Sequence, residues 1–331
     1  MSTISIIGAG AWGTALAQIY ATAGHSVTLW AREESLATLL RDTRINTPYL
    51  PDYKLHDNVY ITNDLSDVFT RSDIILNVIP AQFVRHHLPN FLPFIKPHHH
   101  FVLCAKGIEI ETGLMLSAVV RSVLPDTPIS ILSGPTFAHD LMAGCPSAAT
   151  LASDHQDSLE YLWAGLSSAQ FRLYKSHDII GAQVGGAIKN VIGIACGMSD
   201  GLNLGASARA AVFTRGLAEM RRLTVALGGQ SETIMGQCGV GDLMATCSSP
   251  QSRNYSFGFR MGRGESAIDI LKDRRSVVEG VSTAKAIVRL STNLTIEMPI
   301  AHTVHDCITG TLKHTVLMAH ILSRPLKDER D

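Results

Sequence analysis

The sequence predicts an α/β N-terminal domain with a doubly wound, Rossmann-like sheet, followed by an all-α C-terminal domain. Short apolar runs alternate with helical segments through the first half, and a glycine-rich motif follows the first of these runs. From about residue 179 onward only long Ala/Gly/Leu-rich segments remain. Strand–helix alternation is typical of a parallel sheet covered by helices on both faces. We therefore predict a dinucleotide-binding domain over residues 1–179 and a helical substrate domain over residues 180–331.

Eight short runs rich in β-branched and apolar residues predict the strands of the first domain. They are Ile4–Ile7, Ser26–Trp30, Val59–Thr62, Asp73–Val78, Phe101–Ala105, Ile129–Leu132, Ala148–Ala152 and Phe171–Tyr174. The segments Gly13–Ala23 and Glu34–Arg41 are predicted helices between the first of them. In the second domain apolar residues recur every three or four positions, which predicts helices. These helices are expected at 181–200, 206–228, 265–272, 281–291 and 303–322.

Composition excludes several classes of function. With 331 residues, 46% hydrophobic residues and a net charge of −1, the chain has the composition of a folded protein that has no electrostatic attraction to nucleic acid or an anionic membrane. No uncharged apolar run approaches the ~20 residues that cross a bilayer, and no leader is evident. The six cysteines are scattered without a C-x-x-C pair. We expect a cytoplasmic protein with reduced thiols and no membrane span.

No Cys/His/acid cluster has the spacing of metal ligands, and we expect no metal. The run His98-His99-His100 follows Pro97, and adjacent side chains do not converge easily on one ion. We interpret this run as an exposed loop.

The motif Gly8-x-Gly10-x-x-Gly13 stands between the first predicted strand and the first helix. Gly8 allows a tight turn, Gly10 lets the backbone approach a pyrophosphate, and Gly13 allows close packing of helix on strand. The N-terminus of the helix then offers N–H groups to the phosphates. The alternative is a glycine-rich turn that binds nothing.

The second strand ends in Trp30-Ala31-Arg32-Glu33, where such folds select their cofactor. The guanidinium of Arg32 suits the 2′-phosphate of NADP and stacking on adenine. Glu33 instead suits the free 2′-hydroxyl of NAD. We predict NADP as cofactor, with NAD possible, and a plain surface residue is the alternative for Arg32.

Four further stretches are too rich in glycine and polar residues for simple packing. They are NVIPAQFVR (77–85), CAKGIE (104–109), SGPTFA (133–138) and GVGDLMATCSSPQSRN (239–254). The first three each follow a predicted parallel strand, where open α/β sheets bind ligands. Lys106 is therefore expected near the nicotinamide end of a dinucleotide, unless it is a solvated loop residue.

Lys189 is the one charge in the apolar stretch GGAIKNVIGIACGM (185–198). A buried, unpaired ammonium costs several kcal/mol or loses its proton. Either the side chain reaches water along its aliphatic stem, or a cleft requires an amine.

Taken together, the motifs GAGAWGTALA, AKGIE, SGPTFA, GGAIKNVIGIACGMSDGLNLGASARAA, GVGDLMATCSSPQSRN and VVEGVSTA resemble bacterial-type NAD(P)-dependent sn-glycerol-3-phosphate dehydrogenases. They occur in the family's order from residue 4 to about residue 300. The resemblance implies reversible reduction of dihydroxyacetone phosphate to sn-glycerol 3-phosphate, the precursor of phospholipid backbones. It also implies a homodimer.

The resemblance assigns roles to individual residues. Lys189 would be the proton donor and acceptor, with Lys106 and Asp242 beside it. The implied substrate-binding residues are Lys106, Gly134, Thr136, Lys189, Asp242, Ser252, Arg253 and Asn254. The implied cofactor-binding residues are Gly8, Gly10, Ala11, Trp12, Gly13, Arg32, Lys106, Ala138, Arg253, Val277 and Glu279. Many relatives have Ser where this chain has Ala11, so that side-chain bond to phosphate is absent here.

Hydride transfer to a ketone leaves a developing alkoxide, which a lysine can stabilise and protonate. Burial and a second ammonium, that of Lys106, would lower the pKa of Lys189. Gly185, Gly186 and Gly193 lie near Lys189 in the sequence and leave room for a ligand or another backbone. Asp242 either accepts from substrate hydroxyls or holds Lys189 in place.

The run Ser252-Arg253-Asn254 offers hydroxyl, guanidinium and amide donors within three residues, a set that suits a phosphate. Two alternatives remain. One is a dehydrogenase of the same architecture that acts on a β-hydroxyacid, and the other is a dinucleotide-sensing protein that has lost catalysis. The element SPQSRN distinguishes a phosphate substrate from a carboxylate substrate, and an assay of NADPH oxidation with dihydroxyacetone phosphate tests the cofactor-sensing alternative.

Overall fold

The computed structural model describes residues 2–272, 277–313 and 315, and its first half is built on an eight-stranded sheet of order β10-β9-β8-β7-β6-β1-β2-β5. The strands are β1 (Thr3–Ile7), β2 (Ser26–Trp30), β3 (Ile45–Asn46), β4 (Leu50–Lys54), β5 (Val59–Thr62), β6 (Ile74–Asn77), β7 (His100–Leu103), β8 (Ile129–Ser133), β9 (Ser147–Ser153) and β10 (Phe171–Ser176). All eight predicted strands are present. The antiparallel pair β3–β4 forms a separate small sheet that the sequence pattern did not predict.

The direction of the last two strands corrects the expectation of a fully parallel sheet. β9 pairs antiparallel with β8, and β10 pairs parallel with β9. The segment between β8 and β9 contains only a five-residue helix, Ala138–Met142. A parallel crossover is usually made by an α-helix long enough to pack along the sheet, which this segment lacks. The chain therefore turns back at this point, and the sheet is parallel in its other six strands.

The helices associated with the sheet are α1 (Ala11–Thr22), α2 (Glu34–Thr43), α3 (Leu65–Arg71), α4 (Val84–His87), α5 (Leu116–Arg121), α6 (Ala138–Met142) and α7 (Gln156–Leu166). Separate clusters of buried apolar side chains occupy the two faces of the sheet. This arrangement confirms the predicted doubly wound domain. The loops after β1, β2, β6, β7 and β8 all leave the same edge of the sheet.

The second half of the described chain is helical. Its helices are α8 (Ile179–Gly201), α9 (Ala206–Ala226), α10 (Asp242–Ser248), α11 (Arg253–Gly262), α12 (Ala267–Lys272), α13 (Glu279–Leu294) and α14 (Pro299–Thr309), with a 3₁₀ turn at Ser231–Met235 and a π-helical turn at Gln237–Gly241. α10 and α11 were not predicted, because α10 has only seven residues and α11 begins inside the glycine- and polar-rich stretch 239–254. The predicted helix 303–322 lies partly outside the described residues.

α8 is the central helix of this half. Close neighbours surround its glycines: a Cβ at Gly197 would lie 2.1 Å from the carbonyl oxygen of Tyr255 in α11. α8 has the length and apolarity of a membrane span, but 89% of its most apolar 18-residue window is buried inside the protein. Such burial is typical of the core helix of a folded domain.

The triple-histidine run differs from the exposed loop that was expected. His98 is exposed, but His99 is fully buried and His100 begins β7. The ring of His99 lies 3.0 Å from the carbonyl oxygen of Phe69, and its other nitrogen accepts from the N–H of Lys96. His99 therefore anchors the turn that enters β7.

Candidate active site

The glycine-rich loop connects β1 to α1 and is closely packed at Gly8 and Gly13. Gly8 has a φ of +118°, a conformation that side chains rarely adopt. A Cβ at Gly13 would lie 1.9 Å from the carbonyl oxygen of Gly8, whereas a Cβ at Gly10 would meet no atom of the described residues within 4 Å. Gly10 also stands at the N-cap of α1, without a side-chain cap. The loop therefore presents the free backbone N–H groups of a helix N-terminus to open space at the position of Gly10.

Asn46 of β3 holds this loop, a role that the sequence pattern did not reveal. Its amide nitrogen donates to the carbonyl oxygen of Ala9 at 3.0 Å and to the hydroxyl of Thr14 at 2.7 Å. Asn46 is fully buried. The small β3–β4 sheet thus fixes the start of α1 from outside the main sheet.

Three further residues assigned to the cofactor lie along this loop and the neighbouring α6. Ala11 and Trp12 open α1, and both pack partly buried against the core. The indole Nε1 of Trp12 is buried without a hydrogen-bond partner in the described part of the chain. Ala138 is the first residue of α6, which packs against α1. An unpaired indole N–H next to the loop fits a site completed by a polar ligand.

Arg32 follows β2 and is exposed, with its guanidinium paired to the carboxylate of Glu33. The two residues that favour opposite cofactors therefore neutralise each other in the free protein. A 2′-phosphate would have to compete with Glu33 for the guanidinium.

Lys106, Lys189 and Asp242 converge from three separate elements. The Nζ atom of Lys189 lies 2.5 Å from Oδ1 of Asp242, and the Nζ atom of Lys106 lies 2.6 Å from Oδ2. The Asp242 side chain is 2% exposed, and the two lysine side chains are 12% and 17% exposed. One carboxylate therefore bridges two ammonium groups at a nearly closed site between the sheet edge and α8.

Burial lowers the pKa of Lys189 to about 8. The nearby carboxylate of Asp242 opposes this shift, and the charge of Lys106 adds to it. A lysine with such a pKa carries or releases its proton near neutral pH. The ammonium of Lys189 is therefore not directed into bulk water but is held by a buried carboxylate, that of Asp242.

Gly134 and Thr136 lie beside this cluster. The carbonyl oxygen of Gly134 accepts from Nζ of Lys106 at 2.8 Å and from the hydroxyl of Thr136 at 3.2 Å. A Cβ at Gly134 would lie 2.6 Å from Cα of Ala149 in β9. The loop after β8 thus fixes the amine of Lys106 with its backbone.

The glycines near Lys189 allow other segments of the chain to approach α8 closely. A Cβ at Gly185 would lie 2.2 Å from the carbonyl oxygen of Cys238, and one at Gly193 would lie 2.7 Å from Thr246. A Cβ at Gly186 would lie 2.7 Å from the Ser133 hydroxyl. Of the two possibilities left by the sequence, close approach of other chain segments is the one observed.

Thr246 is a member of the site that the sequence pattern did not single out. Its hydroxyl lies 3.0 Å from Nζ of Lys189, and the residue is 2% exposed. Thr246 lies one helical turn after Asp242 in α10, so both side chains reach Lys189 from one face of that helix. A π-helical turn precedes α10, a feature that often accompanies functional sites.

Ser252, Arg253 and Asn254 form the N-terminus of α11. The hydroxyl of Ser252 accepts from the N–H of Tyr255 and so caps the helix. Asn254 donates to the side chain of Asn190 at 2.9 Å and accepts from the N–H of Gly280 at 2.9 Å. The side chains of Ser252 and Asn254 thus fix the start of the helix whose first residue is Arg253.

Arg253 and Glu279 place opposite charges on facing elements. Desolvation lowers the pKa of Arg253, and Glu279 opposes this shift. Glu279 opens α13 and accepts from the N–H of Ala81 in the loop after β6. Burial raises the pKa of Glu279, and its Oε2 has no hydrogen-bond partner in the ranges that the structure covers. Val277, two residues earlier, is exposed. The helical half therefore reaches the loops at the sheet edge through Glu279.

Among the described residues, no group of three or more His, Cys, Asp or Glu side chains could hold a metal ion. All six cysteines are free thiols.

Two family models match the chain: the N-terminal part of NAD-dependent glycerol-3-phosphate dehydrogenase over residues 3–159, and its C-terminal part over residues 178–319. A glycerol-3-phosphate dehydrogenase [NAD(P)+] of Rhodospirillum rubrum is 46% identical over 98% of this chain and 93% of that protein. One of Maricaulis maris is 46% identical over 98% and 97%. The crystal structure of glycerol-3-phosphate dehydrogenase from Coxiella burnetii superposes with a TM-score of 0.93 at 34% identity, covering 98% of this chain and 99% of that chain.

Proposed function

The chain belongs to the NAD-dependent glycerol-3-phosphate dehydrogenase family, and we propose that Lys189, bridged through Asp242 to Lys106, is the acid–base group of its reaction. The protein is an oxidoreductase that uses NAD(P) to interconvert dihydroxyacetone phosphate and sn-glycerol 3-phosphate, a precursor of glycerophospholipids. Neither the β-hydroxyacid dehydrogenase nor the cofactor-sensing protein is retained as an alternative.

The observation that carries the proposal is the lysine pair on one buried carboxylate. When bound, the nicotinamide supplies or accepts the hydride. During reduction, negative charge develops on the carbonyl oxygen of the substrate, and a nearby ammonium stabilises that charge. Lys189 then gives its proton to this oxygen, and in the reverse direction its neutral amine removes the proton from the C2 hydroxyl. A pKa of about 8 makes both forms of Lys189 available near neutral pH.

Asp242 and Thr246 orient the amine of Lys189. The carboxylate accepts a hydrogen bond from Nζ at 2.5 Å, and the threonine hydroxyl accepts a second one at 3.0 Å. These two hydrogen bonds fix the direction of the third N–H of the ammonium. Lys106 is held by Asp242 and Gly134 on the sheet side. In our proposal it contributes positive charge to the substrate and to the nicotinamide end of the cofactor.

The phosphate of the substrate is proposed to bind at the start of α11. Arg253 supplies a planar guanidinium, and the first turn of α11 supplies backbone N–H groups and the positive end of a helix dipole. Since this phosphate does not react, its binding serves to position the carbonyl carbon. Ser252 and Asn254 contribute by capping and fixing this helix start.

The cofactor is proposed to lie along the glycine-rich loop. The open space at Gly10 and the unpaired Nε1 of Trp12 fit a dinucleotide whose pyrophosphate meets the start of α1. Arg32 would contact the ribose end, and Glu279 and Arg253 would close the site from the helical half. Because Ala11 has no hydroxyl, the pyrophosphate is left to backbone donors at that position.

Residues 1–179 and 180–331 are proposed as the cofactor-binding and substrate domains. The last strand ends at Ser176 and the long α8 begins at Ile179, which supports this division. We also propose a homodimer, on the family resemblance, and a cytoplasmic location, which the free thiols support.

The experiment that tests the function is a steady-state assay of dihydroxyacetone phosphate reduction with NADPH and with NADH. We expect turnover with both and a higher kcat/KM with NADPH. Absence of turnover with either cofactor in the folded protein would refute the proposed activity.

Changing Arg32 to Ala is expected to raise the KM for NADPH roughly three- to tenfold, because an exposed charge-assisted contact to the 2′-phosphate is lost. The KM for NADH should change by less than about twofold. Arg41→Ala is the matched control, since Arg41 is also exposed and paired with a glutamate, on α2. Equal effects of Arg32→Ala on both cofactors would show that Arg32 stacks on adenine instead.

A further inference from the structure

His87 is a titratable group that the reaction described above does not use. It ends α4, the short helix that follows the loop after β6. Its ring lies edge-on to the ring of Trp30, with 6.5 Å between the centroids. The side chain is half-buried. His87 therefore stands beside the end of β2, the position at which the fold selects between NADP and NAD.

Arg32 reaches the same place from the chain segment beyond β2. The N–H of Ala31 donates to the carbonyl oxygen of Thr62, so the backbone stays extended past Trp30. Arg32, two residues after Trp30, lies close enough to His87 for its charge to act on the ring. The N–H of Gly8 donates to the carbonyl oxygen of Trp30 at 3.1 Å and ties the dinucleotide loop to this point.

The charged groups around His87 are cationic or already neutralised. Burial, the neighbouring His86 and Arg32 all lower the pKa of His87 below its ordinary value of 6.5. Arg85 of the same helix is bound to Glu109 through two hydrogen bonds, and Glu33 is bound to Arg32. A bound phosphate dianion would offset the repulsion between the protonated ring and its cationic neighbours.

We propose that His87 is the second cation of the 2′-phosphate site, and that it makes the preference for NADPH over NADH depend on pH. This inference rests on the proposed function, since it assumes that the cofactor binds along the glycine-rich loop. His87 is a specificity-determining residue here and takes no part in hydride or proton transfer to the substrate.

The sign of the pH effect follows from linkage. In the free protein the pKa of His87 is lowered, and a bound 2′-phosphate raises it, so NADPH binding takes up a proton. The extra affinity is fully present below the pKa of the free protein. It is lost as the pH rises through the pKa of the complex. NADH has no 2′-phosphate and gains nothing from protonation of His87.

The test compares the dissociation constants of NADPH and NADH at pH 6.0 and pH 8.5 in the wild type and in His87→Asn. The substitution should weaken NADPH roughly fivefold at pH 6.0 and less than about twofold at pH 8.5, with NADH unchanged at both. The 2′-phosphate has its own ionisation near pH 6, but this is common to both proteins and cancels in the comparison.

His86→Asn is the matched control, because His86 is exposed on the same turn with its ring centroid 5.4 Å from that of His87. The His86→Asn variant should retain most of the pH dependence of NADPH binding. His87→Lys should bind NADPH tightly at both pH values, since its charge does not titrate in this range.

Two results would overturn the inference: equal weakening of NADPH by His87→Asn at both pH values, or equal weakening of NADPH and NADH. Reduction of dihydroxyacetone phosphate by the wild type is measured in parallel. If that turnover is absent, the proposed function fails independently of the result for His87.

Discussion

Replacing Lys189 with Ala is expected to lower kcat for dihydroxyacetone phosphate reduction about 10²–10⁴-fold, the range typical of a lost general acid. Binding of NADPH should remain within about twofold of wild type, because the proposed cofactor contacts lie mainly at the sheet edge. Steady-state kinetics and a direct NADPH titration on the same preparation measure both quantities. The lysine is held by Asp242 and Thr246, so its loss removes the proton donor without removing the helix that carries it.

Two further variants separate the charge of Lys189 from its proton. Lys189→Arg keeps the positive charge but does not exchange a proton near neutral pH, and it should remain about as inactive as the alanine variant. Small primary amines added to Lys189→Ala should restore part of the turnover. Near-normal kcat in the folded alanine variant would remove Lys189 from the mechanism.

Asp242→Asn should lower kcat by at least about 10²-fold and destabilise the fold by about 3 kcal/mol. The carboxylate is 2% exposed and is bound to the amines of both Lys106 and Lys189. Its neutral replacement leaves two ammonium groups close together without a counter-charge, and one of them is expected to lose its proton. Kinetics and the midpoint of thermal unfolding measure the two effects.

Asp200→Asn provides the control for Asp242. Asp200 also accepts hydrogen bonds from two side chains, those of Arg209 and Tyr255, but it lies at the far end of α8 from the lysines. We expect it to lower stability while kcat stays within about threefold of wild type. If Asp242→Asn behaved like Asp200→Asn, the carboxylate would be a structural brace and not part of the acid–base cluster.

Short apolar runs predicted the strands, because helices cover both faces of a doubly wound sheet and bury each strand. The direction of β9 and β10 could not be predicted in this way, since a strand carries the same apolar pattern in either orientation. Helices α10 and α11 were missed for a different reason. α10 has only seven residues, too few for a clear helical repeat, and α11 begins inside the glycine- and polar-rich stretch 239–254.

In the candidate site, Lys189 stood out as the one charge in an apolar stretch, whereas Asp242 was indicated only by the family resemblance. The fold brings the two together from positions 53 residues apart. Thr246 was not predicted because a threonine in a short helix has no distinguishing pattern. The sequence pattern also did not show that Asn254, which the resemblance assigns to the substrate, bonds with Asn190 and with the N–H of Gly280. The pairing of Arg32 with Glu33 was also not predicted, although the sequence had shown that the two favour opposite cofactors.

The pH dependence of kcat/KM in both directions tests the role of Lys189 most directly. Burial lowers the pKa of Lys189 to about 8. Oxidation of glycerol 3-phosphate needs the neutral amine, so its kcat/KM should rise with pH and level off above an apparent pKa near 8. Reduction of dihydroxyacetone phosphate needs the ammonium, so its kcat/KM should fall through the same pKa. Both profiles flat between pH 6.5 and 9.5, or the same two limbs in the residual activity of Lys189→Ala, would contradict the assignment of Lys189.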